Sequence, residues 1–338
     1  MSVSVKDVAA RAGVSVGTVS NVMNWPDKVS AGTVAKVQAA IDELGFVRND
    51  AARQLRDGRS KTIGLVVLDV RNPFFTDVAR GAEDRAADDG YSIILGNSDE
   101  KADRESNYLD LFDEQRMHGV LISPFGDITA RLRRLRQRGI PAVLVDRTAA
   151  DETFSSVSVD DIAGGALAAE HLISLGRRRI AFVGGPIAIR QVTDRLEGAR
   201  RTVNAHDTAT LEVIETKALS VIEGRAAGAA ILERDPADRP DAIFAANDLI
   251  AMGVLQALNM QGTLHVPDDV ALIGYDDIDF ASAAVVPLSS IRQPSGLIGR
   301  TAVEILLEEA ADPTLSPRQV VFQPQLIVRA SSGEPGSR

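Results

Sequence analysis

Seven polar residues spaced along this 338-residue chain have the types needed to hold a polyhydroxylated small molecule: Asn72, Asp146, Arg147, Arg195, Asn247, Asp276 and Gln293. Carboxylates accept from hydroxyls, guanidinium groups donate to them and amides do both, and bonds to charged partners are the stronger ones. The adjacent Phe74 and Phe75 offer an apolar floor for the C–H face of such a ligand. Each residue also has a purely structural use: Asp146 and Arg147 as a local ion pair, Arg195 paired within its helix, Asp276 as a cap and the phenylalanines as core. Seven such groups converging on one place are harder to explain by structure alone.

Catalytic constellations are missing. With no cysteine there is no thiol nucleophile, disulfide or cysteine-based zinc site, and His118, His171, His206 and His265 lack metal-ligand spacing. Asp276 and Asp277 are neighbours, so at a strand end they point to opposite sides rather than share a proton. The pairs Gly164-Gly165 and Gly184-Gly185 fit neither a phosphate loop nor a dinucleotide fingerprint. Binding is expected, with no catalytic residues, no metal and no cofactor.

The elements that must position these groups are announced by texture. Strand-like runs at 63–70, 91–97, 119–124 and 140–147 alternate with helical segments, and a second series follows at 179–185, 211–216, 242–248 and 270–277. Such alternation predicts an α/β core of doubly wound parallel sheets, here in two lobes. Loops at the strand C-terminal ends face the cleft between such lobes, and the polar residues sit at or near those ends.

A different chemistry occupies the N-terminus, VSVKDVAARAGVSVGTVSNVMN at 3–24. Two short amphipathic helices meet at Ala12-Gly13, the layout of a helix-turn-helix whose second helix enters a DNA major groove. With Val14, Val19 and Val22 facing inward, Val16, Gly17, Ser20 and Asn21 face outward. Ser4, Ser15, Thr18, Asn24, Ser30 and Thr33 are candidates for phosphate contact through hydroxyls, an amide and helix N-termini, although Ser15 and Ser30 serve equally as caps. A third helix from near Ser30 is expected to bury Val34, Val37, Ile41 and Leu44 and to stop at Gly45. Residues 1–60 carry a surplus of two cations while the whole chain has a net charge of −10, a basic head on an acidic body. Residues 47–61 form an Arg-rich connector with Leu55 in its middle, either a plain linker or a hinge helix whose leucine wedges into a minor groove.

No apolar run approaches the ~18 residues of a membrane span and no hydrophobic leader opens the chain, so a cytoplasmic location without a membrane partner is expected. The tail SSGEPGSR at 331–338 reads as disordered.

Taken in order, these motifs resemble the lac repressor (LacI/GalR) family of bacterial transcription regulators. The segments carrying the resemblance are VKDVAARAGVSVGTVSNVMN, VSAGTVAKVQAAIDELGF, NDAARQLRDGRSKTIG, NPFF, SVDDIAGGALAAEHLISLGRRRIAFVGG, DRLEG, AIFAANDLIAMG, VALIGYDDI and IRQP. The resemblance implies a homodimer on pseudo-palindromic double-stranded operator DNA and a core like periplasmic sugar-binding proteins. It divides the chain into a head at 1–47, a hinge at 48–61 and a core at 62–330. The N-lobe is 62–160 with 293–320, and the C-lobe is 161–292 with 321–330. It further implies base reading at Val16, Gly17 and Asn21, a minor-groove wedge at Leu55, and a sugar-like effector of ribose or pentose type held by Asn72, Phe74, Phe75, Asp146, Arg147, Arg195, Asn247, Asp276 and Gln293. Leu219 stands where relatives often carry an aromatic wall. Two alternatives stay open: a purine or phosphorylated metabolite acting as corepressor, and a sugar-binding protein without gene regulation.

Overall fold

A computed structural model describes residues 3–46, 60–149, 153–261 and 264–333. The chain divides into two compact units, residues 1–59 and 60–338.

The first unit is helical. Helix α1 (Val5–Ala12) ends at Gly13, α2 (Val16–Asn24) begins after Ser15, and α3 (Ala31–Leu44) ends at Gly45. Gly13 and Gly45 adopt φ of 66° and 60°, the left-handed conformation that closes a helix and that glycine reaches without Cβ strain. Val8, Ala9, Val19, Val22, Val37, Ala40 and Phe46 form the core, with Val14, Val34, Ile41 and Leu44 packed half-buried at its margin. The apolar stripe of α3 therefore centres on Val37 and Ala40, with the other expected core residues flanking it. Leu55 and its neighbours Arg53 and Arg56 lie outside the described residues.

The second unit is α/β with two six-stranded sheets. The first contains β1 (Thr62–Val67), β2 (Ser92–Asn97), β3 (Gly119–Ile122), β4 (Ala142–Val145), β5 (Ser155–Val159) and β11 (Gln319–Phe322), ordered β11-β5-β4-β3-β1-β2 and wholly parallel. The second contains β6 (Arg179–Gly184), β7 (Thr210–Glu215), β8 (Ala242–Ala245), β9 (Ala271–Asp276), β10 (Ser289–Arg292) and β12 (Gln325–Ile327), ordered β12-β10-β9-β8-β6-β7, with only β12 antiparallel. Central strands such as β4 and β9 are buried throughout because helices cover both faces, while the edge strands β2 and β7 are half open.

Helices α4 (Pro73–Asp88), α5 (Ala102–Glu114), α6 (Thr129–Gln137) and α12 (Ser295–Ala311) belong to the first lobe. Helices α7 (Asp161–Ser174), α8 (Arg190–Asn204), α9 (Val221–Leu232), α10 (Asp248–Gln261) and the short α11 (Asp279–Ala283) belong to the second. The chain passes between lobes after β5, after β10 and after β11, so the last passage falls beyond Phe322 rather than at 320. Where α7 crosses α8 the backbones touch: a Cβ at Gly165 would lie 2.0 Å from the Arg195 carbonyl oxygen, and one at Gly198 2.0 Å from that of Ile162. Only glycine allows this approach, which seats Arg195.

The C-terminal segment departs from expectation. Ser331 and Ser332 are fully buried, not disordered. Ser331 Oγ donates to the Leu272 carbonyl (2.6 Å) and accepts the Ser289 N–H (2.8 Å). Ser332 Oγ donates to Ser289 Oγ and lies 2.7 Å from His171 Nε2. The Ser331 hydroxyl satisfies backbone groups of β9 and β10 and that of Ser332 pairs with side chains, so a polar composition is compatible with burial here.

Candidate functional site

Between the lobes lies a cleft. From the first lobe it is lined by Leu68 and Asp69 after β1, Asn72, Phe74 and Phe75 at the start of α4, Glu100 after β2 and Asp146 after β4. The second lobe supplies Ile189, Gln191, Arg195, Leu219, Asn247 and Asp276. Asn72 caps α4, accepting the Phe74 N–H at 3.1 Å, and Pro73 fits the first helical position, where no N–H is needed. That geometry fixes Phe74 and Phe75 in the first turn, both buried, with their rings edge to face at 5.0 Å.

Arg195 is the anchor of the second lobe. Its Nε donates to Asp161 Oδ1 (2.8 Å), its Nη1 donates to the Ala246 carbonyl (2.8 Å), and its guanidinium lies 3.7 Å over the Tyr275 ring. Burial opposes the charge, but Asp161 foremost, with Asp276 and Asp146, outweighs it and keeps the guanidinium protonated. Asp276 accepts Gln293 Nε2 at 2.7 Å and, from the opposite lobe, Asn72 Nδ2 at 2.8 Å. A second tie between lobes runs from Gln191 Nε2 to the Asp146 carbonyl (2.6 Å) and to Asp146 Oδ2 (2.9 Å). Burial pushes the carboxyls of Asp146 and Asp276 above the usual carboxylate range.

Three strand-end aspartates hold left-handed backbone: Asp146 (φ 56°), Asp276 (φ 104°) and Asp277 (φ 55°). Such conformations cost a side chain-bearing residue about 1–3 kcal/mol and cluster where geometry serves a ligand. The surroundings over-determine them. Asp277 is gripped by Arg292 (2.7 Å) and Arg329 (2.6 Å), and the buried Asp248 accepts the Ile278 N–H and the Ser290 hydroxyl. Asn247 accepts the Ile250 N–H at 2.9 Å, turning its amide toward the cleft mouth at Leu219.

Of the nine residues expected in the cleft, Asn72, Phe74, Phe75, Asp146, Arg195, Asn247 and Asp276 line it, and Gln293 stands behind Asp276. Arg147 does not line it. Its Nη1 donates to the Pro124 and Gly126 carbonyls at 3.3 and 3.2 Å, since the residue after Asp146 points to the other side of the strand end. Sequence reasoning missed Gln191, Asp69 and Glu100. Gln191 lies one helical turn before Arg195 on the same face, and Glu100 follows a strand end, so both signals were present.

In the head, Val16, Gly17 and Asn21 are exposed along one side of α2, with Val16 at 46%. Ser20 is half-buried and accepts Asn24 Nδ2 at 3.2 Å. Ser15 Oγ caps α2 by accepting the Thr18 N–H (3.0 Å), and Ser30 and Thr33 hydroxyls pair at 2.9 Å. The Ser4 N–H and hydroxyl both donate to the Asp7 carboxylate, which lowers its pKa.

A helix-turn-helix head followed by a periplasmic-binding-protein-like core is the architecture of a DNA-binding transcription regulator. Residues 4–49 match the model of bacterial regulatory proteins of the lacI family, and residues 169–332 match a periplasmic binding protein-like domain. The chain is 34% identical over 331 residues to the ribose operon repressor of Escherichia coli (strain K12), covering 97% of this chain and 99% of that protein. The structure of the lac repressor dimer bound to operator and the anti-inducer ONPF superposes with a TM-score of 0.83 at 28% identity, covering 98% of this chain and 99% of the other. A lacI-family regulator from Enterococcus faecium with bound ribose gives a TM-score of 0.74 at 28% identity, covering 80% and 98%. The chain belongs to the lacI family of bacterial regulatory proteins. No helix among the described residues is long and apolar enough to cross a membrane.

Proposed function

We propose that this protein is a cytoplasmic repressor that binds a pseudo-palindromic operator as a homodimer and is controlled by a ribose-like sugar in the cleft. One observation carries the ligand reading: Asn72, Asp146, Arg195, Asn247 and Asp276 surround a single cleft floored by Phe74 and Phe75. That set offers acceptors and donors for ring hydroxyls and an aromatic face for the C–H surface. The name of the E. coli relative and the ribose bound in the Enterococcus structure support the same ligand class.

The head reads DNA through Asn21, whose amide suits adenine N6 and N7, and through Val16, which suits a thymine methyl. Gly17 adds no side-chain readout. Ser4, Ser15, Thr18, Asn24, Ser30 and Thr33 contact phosphates, and Leu55 wedges into the minor groove. Exposed Ile222, Met260, Phe280 and Val285 on the C-lobe support association with a second copy. The effector acts by linkage, shifting the dimer by no more than its differential affinity for two lobe poses, and no turnover is involved.

The test is a mobility-shift titration of the full chain against DNA flanking its own coding sequence, with and without D-ribose. Saturable shift of a pseudo-palindromic fragment that ribose alters supports the reading. A shift unaffected by ribose but altered by guanine or hypoxanthine refutes the sugar assignment.

A further inference from the structure

Glu100 and Asp69 are the acids on the cleft lining that the ligand reading leaves unused, and the surroundings of Glu100 are unusual. It follows Asp99 in a turn where both residues hold left-handed backbone, φ 53° and 56°, and its own N–H donates to the Leu68 carbonyl. The turn is thus pinned to the end of β1, and Glu100 lines the cleft with Leu68 and Asp69. Asp69 is already committed, to the backbone N–H and Nε of Arg71, and Arg71 reaches on to Asp99. Among the described residues, no hydrogen bond is made by the Glu100 carboxyl.

The rest of the lining points the same way. Among the described residues, the buried side-chain atoms of the cleft that lack a partner include Asp146 Oδ1 and Gln191 Oε1, and Gln293 Oε1 behind Asp276 is a third; the two amide oxygens can only accept. Asp146 and Gln191 are each at least 95% buried. Four carboxylates (Asp69, Glu100, Asp146, Asp276) line the cleft against one cation, Arg195, which Asp161 and the Ala246 carbonyl already engage. An unsatisfied buried acceptor is costly, so the natural occupant supplies donors. A phosphate would bring more acceptors and more negative charge.

We propose that Glu100 is a specificity-determining contact for the effector, accepting a hydroxyl of an unphosphorylated, donor-rich sugar as an ionised carboxylate. This rests on the sugar reading of the cleft and deepens it. It also makes binding proton-linked. The Glu100 carboxyl is pushed up to about 7 by burial and then by Asp69, against the opposing pull of Arg71, with Asp99 adding a little more. The other charged groups lining the cleft are Asp146, Asp276 and Arg195. A ligand that selects the ionised form finds about a tenth of the protein competent at pH 6 and about nine tenths at pH 8, so its apparent affinity rises roughly tenfold over that interval.

The experiment is calorimetric titration of the full chain with D-ribose and with ribose 5-phosphate at pH 6, 7 and 8, for wild type, Glu100→Gln and Glu100→Ala. The expected result is a roughly tenfold tightening of ribose from pH 6 to 8 in wild type, with about nine tenths of a proton released on binding at pH 6 and about a tenth at pH 8. Both variants should bind ribose at least about tenfold more weakly at pH 8, with a flat pH profile and, without ligand at pH 8, a melting temperature no lower than that of wild type, because the buried charge is removed. Ribose 5-phosphate should bind wild type more weakly than ribose. If ribose binds wild type yet the variants keep its affinity and pH slope, or if the phosphate binds more tightly, the assignment of Glu100 is wrong while the sugar reading stands. If ribose does not bind wild type at any pH, the sugar reading itself fails and this inference falls with it.

Discussion

Helix α8 carries two arginine–carboxylate pairs of nearly equal length that should differ greatly in worth. Arg195 Nε meets Asp161 Oδ1 at 2.8 Å with both side chains less than 10% exposed, whereas Arg201 Nε meets Glu197 Oε1 at 2.7 Å with 65% and 36% exposure. Distance does not separate them; burial does. Replacing Asp161 by Ala leaves a buried guanidinium whose nearest remaining carboxylate among the described residues is Asp276, 3.8 Å away, with Asp146 contributing less. Stranding a buried charge in this way costs about 3–5 kcal/mol. Asp161 is also the first residue of α7, but a carboxylate at a helix N-terminus contributes only about 0.3–1 kcal/mol, and the cap is Asp160, which accepts the Ala163 N–H. The lost partner therefore dominates. At about 2–4 °C per kcal/mol for a unit of this size, Asp161→Ala should melt roughly 6–20 °C below wild type in a scanning calorimeter. Glu197→Ala should cost no more than about 0.5 kcal/mol, because solvent already screens that pair. A wild-type melting temperature for Asp161→Ala, or an equal loss for Glu197→Ala, would refute the reasoning.

Gly165→Ala gains about 1 kcal/mol of helix propensity but drives a methyl into the Arg195 carbonyl, an overpacking worth about 1–3 kcal/mol or more against rigid backbone. Net destabilisation in urea titration, with weaker ribose binding because Arg195 shifts, is expected; a stabilised variant would show that the helices part freely. Asn21→Ala should weaken operator binding by about 1–3 kcal/mol and relax preference at one base pair, read by mobility shift on a substituted operator series. Leu55→Ala should weaken operator binding while leaving the melting temperature unchanged, and an unaltered operator affinity would remove the hinge role.

Much of this fold was legible because the central strands of both sheets are parallel and buried, which forces near-continuous apolar runs such as AVLV and ALIGYD. The helix stops at Gly13 and Gly45 were equally plain, since each demands a positive φ. Less legible were β5 and β10, whose SSVSV and SSIR are serine-rich. Their hydroxyls bond within the protein, as Ser289 and Ser290 do, so composition conceals their burial. In the cleft, strand-end position marked Asn72, Asp146 and Asp276. It misplaced Arg147, because neighbours on a strand end face opposite ways, and it passed over Gln191, which arrives from a helix and crosses to the other lobe.

The buried pair Ser331 and Ser332 has a consequence for how the protein is made. The first sheet takes an edge strand from residues 319–322, the second takes one from 325–327, and Ser331 then ties β9 to β10 while Ser332 ties β10 to α7. During synthesis the helical head, complete by Phe46, emerges and folds while hundreds of residues are still to come. Neither lobe can finish its sheet until the last stretch of the core leaves the ribosome. A message cut short before Gln319 would therefore yield a competent head on two lobes whose sheets each lack an edge strand, a product able to search for DNA before it can respond to anything else.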